Sequence, residues 1–72
     1  MIVYSLWWRE KNANMDTLDN IFPNEESARS VANQILVQDN IESVSVDKCT
    51  VTEYGLQRVK TVYEQEKKPK DL

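Results

Sequence analysis

Histidine is absent from this 72-residue chain, cysteine and glycine occur once each, and proline occurs twice. Without histidine no side chain is poised to exchange protons near neutrality, so acid–base catalysis at pH 7 would need a strongly perturbed carboxylate or lysine. The single Cys49 excludes an internal disulfide and leaves no Cys/His set for a zinc site, which sets the expectation of an intracellular protein without a metal or other cofactor. One glycine cannot build a glycine-rich phosphate loop. Apolar runs such as Leu6-Trp7-Trp8 are short, far below the roughly 18 residues of a membrane span. No basic region precedes an apolar core at the N-terminus, so neither membrane association nor a signal peptide is expected.

What is present amounts to one small domain. A chain of 8.4 kDa has no room for a catalytic domain plus a second module, and a core of this size supplies only ~3–5 kcal/mol of net stability. The formal net charge of −3 is unevenly spread. Residues 10 to 53 hold nine acidic side chains against three basic ones, whereas residues 54 to 72 hold five basic against three acidic. Such polarity steers encounter with a charged partner without making the chain a polyanion binder.

Residues 2 to 8 are dense in β-branched and aromatic side chains and read as a strand. Alternation sends Ile2, Tyr4, Leu6 and Trp8 to the core side and Val3, Ser5, Trp7 and Arg9 to the other. Asn12-Ala13-Asn14 is a turn signal, and Met15 to Phe22 is a diluted second strand, suited to a sheet edge and stopped by Pro23. The helix has the strongest pattern. Asn24 can cap it, Glu25 and Glu26 favour its positive end, and Ala28, Val31, Ala32, Ile35 and Leu36 form one apolar stripe. It is expected to end near Gln38, with Asn40 left-handed beyond it.

From Ser43 to Glu53 the apolar period is two, but Val44 and Val46 differ in parity from Cys49 and Val51. A bulge near Asp47-Lys48, preferred to a two-residue hairpin there because the only glycine lies elsewhere, would put all four on the core face. A three-residue loop through Gly55 would then pair Cys49 with Val59 in a last strand running to Glu66. In that register Cys49, Val51, Val59, Thr61 and Tyr63 face the core, while Lys48, Thr50, Thr52, Arg58, Lys60 and Val62 face away. The expected fold is α+β: a four-stranded antiparallel sheet (ββαββ) over residues 1–66 with one helix on one face, followed by a flexible charged tail at 67–72.

An enzyme is not expected. Cys49 fits a small buried hydrophobe in mid-strand, and the carboxylate pairs Glu25-Glu26 and Glu64/Glu66 are accounted for by helix capping and strand alternation. The informative residues are the adjacent tryptophans. If Trp8 enters the core, Trp7 stands on the opposite face, where it either lies flat over its sheet neighbours or serves as a binding anchor. With Val3, Arg9, Lys48, Arg58 and Lys60 it would make an aromatic and basic platform. That platform suits a protein partner. Single-stranded nucleic acid, or a second copy in a structural homodimer, is the alternative. An acidic rim of Asp16, Asp19, Glu25 and Glu26, or pairing along an edge strand, offers further contact surface.

The opening Ile2-Val3-Tyr4-Ser5-Leu6-Trp7-Trp8, the step Ile21-Phe22-Pro23-Asn24-Glu25-Glu26-Ser27-Ala28 into one helix, and the closing strand pair resemble small phage-encoded ββαββ accessory proteins over about residues 2 to 65. Some proteins of that group bind and block host machinery such as CRISPR effectors or RNA polymerase. The resemblance implies a stoichiometric, anti-CRISPR-like or polymerase-inhibitor-like binder acting in the host cytoplasm as a monomer or homodimer. It transfers no functional residue.

Overall fold

The structure, a computed structural model, describes residues 1–67, so most of the tail expected at 67–72 lies outside the described residues. The elements follow as β1 (Ile2–Glu10), β2 (Thr17–Phe22), α1 (Glu25–Leu36), β3 (Ile41–Thr52) and β4 (Gly55–Glu66). All neighbours pair antiparallel in the order β2-β1-β3-β4, which is the ββαββ sheet anticipated from the pattern, with β2 at one edge. Asn12 takes a positive φ of 67° in the turn between β1 and β2, where asparagine is tolerated. Among the described residues no helix is long and apolar enough to cross a membrane.

Asn24 caps α1 as expected, its Oδ1 accepting from the Ser27 N–H at 2.8 Å. The helix ends two residues earlier than expected. Its cap residue Val37 is right-handed (φ −74°, ψ −11°), and Asn12 is the only described non-glycine residue with positive φ, so Asn40 is not left-handed. Instead the Gln38 N–H bonds to the Ile35 carbonyl and the Ile41 N–H to the Gln38 carbonyl, and two successive turns release the chain into β3. The helix lays Ala28 and Ala32 on Leu6, Val44 and Val46, with Ile41 closing the core and Tyr4, Trp8, Phe22, Ile35 and Leu36 around it. Two alanines where the helix crosses the sheet let its backbone approach closely, and a small core fills without large side chains.

The register corrects two expectations. Against β1, strand β3 is regular from Thr50 (opposite Ile2) to Ser43 (opposite Arg9), so no extra residue enters at Asp47-Lys48 and parity holds over that span; the extra residue against β1 is Glu42, between Ser43 and Ile41. The irregularity near those residues is against β4, where Val62 and Val59 are the extra residues between successive pairs. A bulge belongs to a pairing, and here β4 carries it. Cys49 and Val51 therefore lie on the face away from the helix, as does Thr61, whereas Lys48, Thr50 and Lys60 turn to the helix side and Val62 packs against the core. Val59 is 55% exposed. The β3–β4 turn is also one residue tighter than expected. Thr52 pairs with Gly55 and Cys49 with Arg58, leaving Glu53-Tyr54 as the loop and Gly55 at φ 111°.

A 12-residue helix spans about 18 Å, whereas 12-residue strands span about 40 Å. The β3–β4 hairpin thus runs past the helix, and the molecule is drawn out to 47 Å along its long axis.

Candidate functional site on the open sheet face

The face that α1 leaves uncovered is built row by row. Trp7 on β1 lies opposite Ser45 on β3, which lies opposite Glu64 on β4; one step along, Arg9 lies opposite Ser43 and Ser43 opposite Glu66. In the other direction come Ser5, Asp47 and Thr61, then Val3, Cys49 and Arg58. On the β2 side Leu18 stands beside Trp7 and Ile21 beside Ser5. The small side chains of Ser43 and Ser45 make a floor along β3. Trp7 forms one wall of this channel and Glu64 the other, Arg9 reaches across Ser43 to Glu66 and closes one end, and Asp16 lines it from the loop before β2. Farther along the face the lining passes to Asp47, Arg58 and Thr61.

Trp7 is on this face and Trp8 on the core side, as parity required, and both are half-buried. The Trp7 indole N–H donates to Ser5 Oγ at 2.9 Å, two residues back on the same strand. This bond makes the ring lie along β1 rather than stand away from it. Ser5 is thereby nearly sealed (2% exposed). Its Oγ is 3.5 Å from Cys49 Sγ, and that thiol in turn lies 3.7 Å from the Asp47 carbonyl oxygen. If the thiol donates to that carbonyl, the Ser5 hydroxyl donates to sulfur and every hydrogen in the chain has an acceptor. Cys49 is buried as expected of a small hydrophobe, but on the open face, flanked by Val3 and Arg58.

The charges differ from the expected platform. Val3, Trp7, Arg9 and Arg58 share the open face, while Lys48 and Lys60 face each other on the opposite one. In place of the lysines stand the carboxylates of Asp16, Asp47, Glu64 and Glu66, of which Glu64 and Glu66 were expected only as strand-surface alternation. Arg9 bridges Glu42 and Glu66 at 3.3 Å each, and the Thr61 hydroxyl donates to Asp47 at 2.7 Å. Neither Glu64 nor Asp16 has an ion-pair partner among the described residues. The expected acidic rim is divided: Asp16 joins Trp7, while Glu25 and Glu26 sit at the start of α1. The alternation Ser43-Val44-Ser45-Val46 was the sequence signal for the floor, since it puts valine on one face and serine on the other.

Among the described residues no three Cys, Asp or Glu side chains converge as a metal ion would require. Compared with known proteins, the chain has no matching family model, no matching curated protein and no matching solved structure.

Proposed function

We propose that this chain is a small non-enzymatic interaction protein that docks on a protein component of a larger host machine, modulating or inhibiting it, through the open sheet face. The observation that carries this reading is Trp7. A tryptophan laid flat on an uncovered sheet, its N–H tied to Ser5 and apolar Leu18 and Ile21 about 40% exposed beside it, has the composition of an interface centre. The resemblance to phage-encoded ββαββ proteins supports a stoichiometric mode of action. The carboxylates on the face weigh against the nucleic-acid alternative, because they oppose the phosphates that such binding depends on.

The test is capture of a partner from host lysate on the immobilised chain, with Trp7→Ala and, on the opposite face, Lys60→Ala as comparisons. Loss of the captured protein with Trp7→Ala but not with Lys60→Ala, each still showing a cooperative thermal transition, is the expected result. Undiminished capture by both would overturn the reading.

A further inference from the structure

The open face has a shape and a charge that select among protein partners. We infer that its occupant is an extended segment rich in arginine or lysine, seated along β3 in the channel between Trp7 and Glu64. This rests on the proposed use of the open face for protein binding and goes on to name the chemistry of the partner.

Three features converge on a cationic strand-like segment. The channel is floored by Ser45 between Trp7 on β1 and Glu64 on β4, closed over Ser43 by the Arg9–Glu66 pair and open toward Asp47 and Thr61. An extended segment lying over the face can send a side chain down between these two walls. On one wall the flat indole of Trp7 presents a π surface to a guanidinium or ammonium group. On the other Glu64, and at the end Asp16, supply carboxylates that no described arginine or lysine neutralises. A cation inserted between Trp7 and Glu64 gains both contacts at once. An extended segment repeats its side chains every second residue, so the next cation on the same side reaches toward Asp16 or Asp47. Arg58 is one cation lining the same concavity as Asp16, Asp47 and Glu64, and Arg9 is held by Glu42 and Glu66, which leaves carboxylates in excess beside Trp7.

Other occupants fit less well. A phosphate backbone would meet four carboxylates, a metal would find no converging ligand set, and a second copy laid face to face would bring Glu64 and Asp16 against an equally acidic surface.

The test uses a short synthetic peptide alternating arginine with threonine, the same peptide with glutamate in place of arginine, and a single-stranded oligonucleotide. Each is titrated into the full chain while the two indole N–H resonances are followed by NMR. The expected result is a saturable shift of the Trp7 signal with the arginine peptide alone, Trp8 serving as the internal reference. Glu64→Gln and Asp16→Asn should each weaken binding by about 3- to 10-fold, the loss of one charge-assisted contact. Glu26→Gln, the same charge change at the helix start, should leave it unaltered. Equal weakening by Glu26→Gln would mean general attraction to an acidic chain and would overturn the inference, as would a Trp7 shift with the oligonucleotide or with no ligand but the glutamate peptide. If no peptide binds while Trp7→Ala still abolishes partner capture and Lys60→Ala does not, the face is a protein-binding site for some other chemistry: this inference fails and the functional proposal stands.

Discussion

Ser5 and Leu6 are neighbours in β1, both are almost wholly buried, and they lie on opposite faces of one sheet. Leu6 is sealed by volume, with Val46 directly across the ladder and Ala28 and Ala32 of the helix around it. Ser5 is sealed by one indole and a short chain of polar contacts through Cys49 to the Asp47 carbonyl. The same strand thus closes one face by packing and the other by hydrogen bonding. Packing is hard to reopen, because every neighbour loses contact at once. The polar cover is shallow and depends on the position of one side chain, which suits a surface meant to meet something else.

The sharpest way to break this comparison is to truncate both neighbours. Leu6→Ala should lose about 2–5 kcal/mol, the range for a buried leucine in a small core. That is comparable with the ~3–5 kcal/mol such a chain has in total, so urea denaturation should find the variant largely unfolded without denaturant. Gly55→Ala should come next. A Cβ there meets no atom within 4 Å, so the expected loss of about 1–2 kcal/mol comes from the positive φ alone. A D-alanine introduced at 55 by chemical synthesis should recover it; if it does not, the turn is held by something other than backbone geometry. Ser5→Ala should cost only about 1 kcal/mol, the net worth of the indole hydrogen bond, and should move the Trp7 indole N–H resonance while leaving that of Trp8 in place. Equal losses from Leu6→Ala and Ser5→Ala would show that the two faces are not closed by different means.

How much of this could be foreseen follows from which properties are local. The helix was legible because the Asn24 cap, the acidic first turn and the alanine-rich stripe are all contained in one segment. So was the division of Trp7 from Trp8, since alternation along one strand needs no knowledge of its partner. The bulges were not. Val59 and Val62 are extra residues only relative to β3, and the change of apolar parity along β3 marks apolar residues on both of its faces, not a bulge within it. That single misplacement moved Lys48 and Lys60 to the open face and Cys49 to the core, and it made an acidic channel look like a basic platform. The exit of the helix was missed for a related reason. Asn40 is a good left-handed residue, but the backbone bonds from Gln38 and Ile41 end the helix without one. Ser43 and Ser45 passed unnoticed as a channel floor because a floor exists only between walls that other strands supply.

The covered face is covered only as far as the helix reaches, and the pair Lys48 and Lys60 marks the change. They lie directly opposite each other on the helix side, next to Tyr4 on β1, two residues before the β1–β3 pairing ends at Thr50. Like charges directly opposite in an antiparallel pair are destabilising, and opposite charges in that position contribute roughly 0.2–1 kcal/mol. Under the helix such a pair could not persist, because two buried ammonium groups would each need a partner. Here solvent screens them, and Lys60 is exposed. Lys60→Glu should therefore raise stability by a few tenths of a kcal/mol, at most about 1, with the gain shrinking as salt is added. It should leave binding at Trp7 untouched, since it lies on the other face. A loss of stability would place this end of the sheet under the same packing constraint as Leu6, and the helix-side face would then be one continuous core rather than a core followed by an open arm.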